Sequence, residues 1–129
     1  MLLLDTDVMI DIQRGFPPAT AWLNSLVEVP SVPGYVAMEL YQAARDRQQV
    51  QVAARLLTPF PIVWPSGQDC DRGAKDFFDH HLSHGLGLLD ALIAACARGL
   101  SATLCTFNVK HFRVVPGLTT LQPYAHSTP

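Results

Sequence analysis

Hydrophobic and polar positions follow two patterns along this chain, short apolar runs and longer segments in which apolar residues recur every three or four positions. The short runs predict strands at 2–4, 29–33, 60–65, 102–106 and 118–121. The helical spacing predicts helices at 8–12, 19–28, 35–45, 66–84 and 88–98, and a further helix that ends at 57. Because strands alternate with helices, the pattern predicts an α/β fold with a short, mainly parallel central sheet.

The first apolar run is the most informative strand. Leu2, Leu3 and Leu4 form an uninterrupted run, which is typical of a central parallel strand that is buried on both faces. Asp5 follows directly and therefore lies at the carboxyl end of the strand. Ligands of open α/β sheets bind at this edge, so we expect a functional site around Asp5.

Glycine, proline and apolar spacing refine the predicted helices. Gly15 is expected to close the first helix, Pro59 to stop the helix that reaches Leu57, and Gly99 to follow the last long helix. A loop or a single helical turn is expected at 108–112. In the polar helix 66–84, the apolar stripe predicts an inner face made of Ala74, Phe77, Phe78 and Leu82.

Length and composition favour one domain that spans residues 1–129. Hydrophobic residues make up 49% of the chain and charged residues 16%, whereas about a quarter is usual for charged residues. Two explanations are open. Either a second copy or another protein covers some apolar surface, or the core is slightly richer than average.

Charge and cysteine content limit the class of protein. The net charge of −2 excludes the strongly basic footprint of a protein that coats nucleic acid non-specifically. Cys70, Cys96 and Cys105 are odd in number and lack a CxxC spacing, which favours reduced thiols and a cytoplasmic setting. The apolar start is broken after three leucines, so we expect neither a signal peptide nor a membrane span.

Three of the 11 acidic residues stand in apolar surroundings: Asp5, Glu39 and Asp90. Burial of an ionised carboxylate is costly unless the group is paired or binds a cation. In one interpretation their role is structural, either in buried ion pairs with a distant arginine such as Arg14, Arg45 or Arg98 or as helix caps. In the other they converge on Mg²⁺ or Mn²⁺, which prefer oxygen ligands, and form a site for metal-dependent phosphoryl transfer.

Five segments add a resemblance that covers nearly the whole chain. They are 3–11 (LLDTDVMID), 38–40 (MEL), 87–97 (GLLDALIAACA), 104–112 (LCTFNVKHF) and 116–118 (PGL). Each is weak alone, but together and in this order they are specific. The chain resembles the PIN-domain ribonucleases, in particular the VapC toxins of bacterial type II toxin–antitoxin systems.

The resemblance implies an α/β/α PIN domain that cleaves RNA endonucleolytically with Mg²⁺ or Mn²⁺. Asp5, Glu39 and Asp90 match the acid positions of the family. Asp5 and Asp90 are expected to hold the metal directly, and Glu39 to bind it directly or through water and to orient the nucleophile. The family also implies a homodimer that an antitoxin blocks by wrapping the active-site cleft.

Four further residues near these acids are assigned by the same resemblance. Asn108 stands where many members carry a fourth acid, which lowers the negative charge of the site. Asp7 stands where asparagine is common, and either restores this charge as a further metal ligand or caps the first helix. Thr6 is expected to donate a hydrogen bond within the site. Thr106 either positions the Asn108 loop or simply ends a strand.

Other polar residues carry weaker predictions. Candidates for substrate contact are Arg14, Lys110 and His111, and Arg45 and Arg72 are further candidates for phosphate contact. The alternative for the arginines and Lys110 is that they are simply exposed to solvent. The alternative for His111 is that it packs beside Phe112. His80, His81 and His84 have a spacing that can hold a transition metal, or they form a solvated helix end.

Two other functions compete with the ribonuclease. The Asp5-Thr6-Asp7 sequence is similar to the start of haloacid-dehalogenase phosphatases, although the later lysine and distal acid pair of that family are missing. An inactive PIN-like module that only binds another protein is the second alternative. Such a module would tolerate the loss of its acids.

Overall fold

The computed structural model describes residues 1–126, in which strands and helices alternate as the pattern predicts. The strands are β1 (Leu2–Leu4), β2 (Val32–Pro33), β3 (Ile62–Val63), β4 (Thr103–Cys105) and β5 (Thr119–Leu121). The helices are α1 (Thr6–Gln13), α2 (Pro17–Ser25), α3 (Gly34–Ala43), α4 (Arg47–Leu57), α5 (Gly67–His84), α6 (Leu88–Gly99) and α7 (Val109–Phe112).

The strands pair in parallel and place β1 at the centre. β4 lies between β1 and β5, with Leu3 opposite Leu104, and β2 pairs with β3. A parallel bridge between Leu3 and Ser31 joins these two sheets, because Leu4 N donates to the Ser31 carbonyl at 3.0 Å. The strand order is therefore β3-β2-β1-β4-β5, and the predicted parallel α/β fold is confirmed.

Burial of β1 shows that helices cover both faces of the sheet. Leu3 and Leu4 point to opposite faces because successive side chains of a strand alternate, yet both are completely buried. The core around them includes Val8 and Met9 of α1 and Ile93 of α6. This two-sided burial explains why an uninterrupted apolar run, rather than an alternating one, marks the strand.

The inner face predicted for α5 is wrong at three of its four positions. Ala74, Phe78 and Leu82 are exposed, Phe78 by 86% and Leu82 by 93%, while Gly73 and Asp76 are buried. Gly73 lets α5 approach α6 closely, since a Cβ there would lie 3.1 Å from Ala95 Cβ. Asp76 is buried because it pairs with Arg98 of α6 at 2.9 Å. Helix proximity and an ion pair, rather than apolar side chains, therefore set the inner face.

Gly99 lies within α6 rather than after it. The residue with a left-handed backbone is Ser101, with φ of 52°. A Cβ at position 99 would overlap the carboxylate of Asp69, which forms a capping box with Ser66 at the start of α5. Glycine is needed here for the close approach of two helices and not for a turn.

Several element boundaries differ from the pattern. The helix predicted at 19–28 is α2 (Pro17–Ser25), because Pro17 suits the first helical position and Leu26 is already extended. The strand predicted at 60–65 keeps only Ile62 and Val63. The three cysteines are free thiols, and within residues 1–126 no helix combines the length and the apolarity needed to cross a bilayer.

Candidate active site

Asp5 lies where β1 ends and α1 begins, and it is the N-cap of that helix. Its Oδ1 accepts a hydrogen bond from Thr6 N at 2.9 Å, and its Oδ2 accepts one from the Thr106 hydroxyl at 2.7 Å. The side chain is 6% exposed. The short apolar strand therefore delivers one carboxylate, held by two donors, to the carboxyl edge of the sheet.

The electrostatic environment of Asp5 disfavours its charged form. Burial, and then the negative charges of Asp7 and Asp90, raise the pKa of Asp5 from 3.8 to about 7, although the hydrogen bonds from Thr106 and Thr6 oppose the shift. Within residues 1–126, no lysine or arginine lies within 4.0 Å of the carboxylates of Asp5, Glu39 or Asp90. The interpretation of these acids as buried ion pairs with arginine is therefore wrong, whereas the expectation of a helix cap is confirmed for Asp5.

Thr106 links the first strand to the loop that follows β4. Its hydroxyl donates to Asp5 and accepts from Asn108 N at 2.9 Å, and the residue is completely buried. Thr106 therefore orients the Asp5 carboxylate and holds the turn into α7 at the same time. The side chain of Asn108 is half-buried beside this turn.

Asp7 anchors the same turn from the other side. Its Oδ2 accepts from Phe107 N at 3.0 Å and its Oδ1 accepts from Val8 N at 2.8 Å. Burial is the main cause that raises the pKa of Asp7, while the hydrogen bond from Phe107 lowers it. The N-cap position of α1 is Asp5, but Asp7 also accepts from a first-turn N–H of this helix, so Asp7 combines part of the predicted capping role with negative charge and loop contacts.

Glu39 reaches the site through Thr6. The Thr6 hydroxyl donates to Glu39 Oε1 at 2.8 Å, which connects the first turn of α1 to the middle of α3. Glu39 is half-buried. The expected hydrogen bond of Thr6 within the site is thus present, and it fixes one carboxylate oxygen of Glu39.

Asp90 stands in the first turn of α6, where the helix dipole favours a negative charge. Burial raises the pKa of Asp90, whereas the nearby charge of His111 and a backbone hydrogen bond from Gly87 lower it. Asp90 in turn contributes to the raised pKa of Asp5. α6 and α7 therefore bring a carboxylate and an imidazole toward the edge where β1 ends.

The donor set suits a hard divalent cation, but it is not a closed cage. Within the described part of the chain, no three His, Cys, Asp or Glu side chains are close enough together to form a metal-binding group. What the fold gathers is Asp5 with Asp7 and the charge of Asp90, and separately Glu39 with Thr6. Mg²⁺ commonly uses one or two carboxylates and keeps several waters, so these residues fit such an ion.

The predicted basic residues lie at different distances from this site. Arg14 is the C-cap of α1, about 12 Å along the axis from the end that carries Asp5. Arg72 binds Asp69 on α5. Lys110 and His111 are exposed on α7, directly after Asn108, and His111 acts electrostatically on Asp90. The fold therefore brings α7, but not Arg14, to the carboxylates.

The histidine cluster at the end of α5 is engaged in packing. His81 stacks on Phe77 with 4.5 Å between ring centroids, and its Nδ1 lies 3.3 Å from the Leu86 carbonyl. His80 and His84 face each other edge-on at 5.4 Å. These contacts describe a helix end rather than a metal site.

A polar cluster that the sequence did not predict joins α1 to the C-terminal segment. The buried Asp11 accepts from the Tyr124 hydroxyl at 2.7 Å and lies 2.9 Å from His126 Nε2. Both aromatic rings pack on Phe107, with centroids 4.9 Å away. Asp11 stands between Ile10 and Ile12, so the criterion that selected Asp5 applied to it as well. We call Asp11, Phe107, Tyr124 and His126 the C-terminal cluster.

Comparison with known proteins identifies the relatives of this fold. Residues 2–118 match the family described as PIN domain. Two chains named Ribonuclease VapC19, from two strains of Mycobacterium tuberculosis, are 32% identical over 124 residues, which cover 92% of this chain and 97% of the relative.

Solved structures give the same result. One chain of a toxin–antitoxin complex from Klebsiella pneumoniae is 27% identical to this chain and superposes on it with a TM-score of 0.77. The match covers 96% of this chain and 98% of that one. A chain of VapBC2 from Rickettsia felis, bound to a DNA fragment from their promoter, has a TM-score of 0.76 at 23% identity, over 93% and 96%. The second likeness is one of fold.

Proposed function

The chain belongs to the PIN-domain family, and on this basis we propose that it is a metal-dependent endoribonuclease, the toxin of a VapBC-type toxin–antitoxin pair. Support comes from the relatives named Ribonuclease VapC19 and from the toxin–antitoxin complex with the same fold. The structural observation that carries the proposal is Asp5, a buried carboxylate at the edge where β1 ends that forms no ion pair with a basic residue of 1–126. Family membership rules out the haloacid-dehalogenase alternative.

Asp5 and Asp90 would hold a divalent ion, Mg²⁺ or Mn²⁺, through carboxylate oxygens. When bound, such an ion activates water and stabilises charge on a phosphate. Asp5 is supported for this role by the two donors that fix its orientation. Burial first, and then the negative charges of Asp7 and Asp90, raise its pKa, and a bound cation would offset both effects on the ionised carboxylate. Asp90 is supported for this role because its negative charge acts on Asp5 and raises the pKa of that carboxyl group.

Glu39 would orient the attacking water. The Thr6 hydroxyl occupies Oε1, which leaves Oε2 available to accept a proton from that water. Hydrolysis forms one P–O bond to the water oxygen and breaks one P–O bond to a sugar oxygen, which leaves with a proton. Thr6 acts through Glu39 and is a positioning residue.

Asp7, Thr106 and Asn108 would support the site around Asp5. Both carboxylate oxygens of Asp7 accept backbone hydrogen bonds, as those of Asp5 accept hydrogen bonds, so each keeps a lone pair with which Asp7 could add to the metal ligands, and Asn108 donates its backbone N–H to Thr106. Their shared role is to hold the β4–α7 turn against Asp5. Lys110 and His111 are the basic residues placed to meet RNA phosphates, because α7 follows that turn. Arg14 has less support, since it caps the far end of α1.

An antitoxin and a second copy of the chain are the proposed protein partners. The toxin–antitoxin complex with this fold supports the first. Exposed apolar residues on α5 and α6, Phe78, Leu82 and Leu88, support the second, because such side chains are costly to leave in water. Light scattering measures the molar mass of the wild-type protein and of Phe78→Asp and so tests the homodimer. We expect the mass of two chains for the wild-type protein and the mass of one chain for the variant.

The activity is tested with the purified chain, freed of any bound antitoxin, and a structured RNA. We expect cleavage in Mg²⁺ or Mn²⁺, none in EDTA, and recovery when the metal is added back. Cleavage that persists in EDTA would refute metal dependence. Silence on several RNAs under all conditions would favour the module that only binds protein.

A further inference from the structure

A cleft of about 310 Å³ opens beside Glu39, one of the three proposed catalytic residues. Thr6 and Glu39 form part of its wall, and Leu40 of α3 and Val52 of α4 contribute apolar surface. Its volume lies at the lower end of the range for sites that hold small organic molecules. A molecule bound in this cleft would therefore lie next to the carboxylate that we assign to the attacking water.

The side chains of the cleft favour an uncharged, flat ligand. Among the described residues that line it there is no lysine, arginine or histidine, and Glu39 supplies a negative charge, so a phosphate group is disfavoured. Apolar walls with a few amides suit a nucleobase instead. Enzymes that take a base out of its stack hold it between apolar or aromatic side chains and read its edge by hydrogen bonds.

Two amides line the cleft, Gln13 of α1 and Gln49 of α4, and a hydrogen bond orients that of Gln49. Gln49 Oε1 accepts a hydrogen bond from Arg45 N at 2.8 Å, which only an oxygen can do, and this contact fixes which end of the amide is which. The Nε2 group, with two N–H donors, is the end left to meet a ligand. Gln49 is held further because its own N–H donates to Asp46 at 2.8 Å.

We infer that this cleft binds the nucleobase next to the scissile phosphate and that Gln49 selects uracil or guanine through the carbonyl oxygen that these bases carry as O4 and O6. Uracil O4 and guanine O6 accept hydrogen bonds, whereas cytosine N4 and adenine N6 carry amino donors at the corresponding position. A donor fixed in the cleft therefore favours the first pair. The inference rests on the proposed ribonuclease function, whose cleavage site it would define in part.

The decisive test is a change of base preference in Gln49→Glu. Glutamate keeps the oxygen that accepts from Arg45 N, but it replaces the N–H donors with an acceptor that suits amino groups. Gln48→Glu adds the same charge one residue away, outside the cleft, and is the matched control. Cleavage sites are mapped by sequencing the ends of a randomised single-stranded RNA, and thermal melting verifies that both variants are folded.

The wild-type protein and Gln48→Glu should favour uracil or guanine at one nucleotide beside the cut by about tenfold, and Gln49→Glu should favour cytosine or adenine there. Cleavage without a preference at that nucleotide, or with the same preference in Gln49→Glu, overturns the inference. If Gln49→Glu leaves the base preference unchanged but weakens binding of the co-purified antitoxin, the cleft belongs to a protein partner and the inference is also wrong.

A binding experiment separates this inference from the ribonuclease proposal. Uridine and cytidine 5′-monophosphates are titrated into Asp5→Asn, and the NMR signals of Leu40, Val52 and the Gln49 amide are followed. Larger and saturating shifts with uridine monophosphate support the cleft even if no RNA is cleaved. Absence of shifts with both nucleotides overturns it even if the wild-type protein is an active ribonuclease.

Discussion

The hydroxyl of Thr106 donates a 2.7 Å hydrogen bond to Asp5 Oδ2 and so joins two residues that are 101 positions apart in the sequence. Asp5 ends β1 and Thr106 follows its parallel neighbour β4, so the contact exists only because these strands pair side by side. The same hydroxyl accepts from Asn108 N. Strand pairing thus orients the central carboxylate of the site and the turn beside it.

Thr106→Val should destabilise the protein by about 1–3 kcal/mol, because it leaves the half-buried Asn108 N–H without its acceptor and removes a donor to the buried Asp5. Urea unfolding measures the change in the free energy of unfolding. Thr106→Ser keeps the hydroxyl and should cost less. Equal losses in the two variants would show that the methyl group, and not the hydrogen bonds, carries the effect.

Asp5→Asn should change how stability depends on pH. The folded-state pKa of Asp5, about 7, lies above its ordinary value of 3.8, so the folded state binds this proton more tightly. The stabilisation is complete below 3.8 and is lost as pH rises toward 7, at most about 4 kcal/mol. Asparagine does not titrate, so this loss is absent in Asp5→Asn. Without metal, the stability of Asp5→Asn relative to the wild-type protein should therefore be greater above pH 7 than below pH 3.8.

Urea unfolding in EDTA, on either side of that interval, measures the difference between the wild-type protein and Asp5→Asn. Asp71→Asn, which changes an exposed acid of α5, is the control and should follow the wild-type pH dependence. Parallel pH profiles for Asp5→Asn and the wild-type protein would contradict the raised pKa.

Mg²⁺ or Mn²⁺ should raise the melting temperature of the wild-type protein by several degrees, since a ligand at a hundred times its Kd stabilises the folded state by about 2.7 kcal/mol. Asp90→Asn removes one proposed ligand and should abolish most of the shift, whereas Asp71→Asn should retain it. Differential scanning fluorimetry measures the effect. Equal shifts in all three proteins would show that the ion binds elsewhere.

Tyr124→Phe should cost about 1–3 kcal/mol of stability, because the phenol donates to the buried carboxylate of Asp11 within the C-terminal cluster. Tyr41→Phe removes a hydroxyl from an exposed residue of α3 and should have little effect. Chemical denaturation of the two variants gives the comparison. A loss that is no larger in Tyr124→Phe would mean that the ring, through its contact with Phe107, does most of the stabilising.

The sequence predicts the part of the fold that depends on local pattern. The leucine run marks β1 because both faces of that strand are buried, and Asp5 ends it because the strand meets the open edge of the sheet. Asp90 is selected as a candidate site residue because its neighbours in the sequence are apolar and burial of an unpaired carboxylate is costly. Periodicity and burial cost are properties of neighbouring residues, and a single sequence contains them.

The sequence does not predict features that depend on residues far apart in the chain. Phe78 and Leu82 fit an inner stripe by spacing, but Gly73 and the pair of Asp76 with Arg98 decide which face of α5 meets α6. The surroundings of Asp11 resemble those of Asp5, yet its partners Tyr124 and His126 lie more than a hundred residues away. Pairings of this kind follow from the assembled fold and carry no local signal.

RNA cleavage by the wild-type protein and by Asp5→Asn, in Mg²⁺ or Mn²⁺, tests the assignment of Asp5 directly, with Asp71→Asn as the matched control. We expect the wild-type protein and the control to cleave the same RNA at the same sites, and cleavage by Asp5→Asn to fall to background although this variant remains folded. Undiminished cleavage by Asp5→Asn would contradict the assignment of the site.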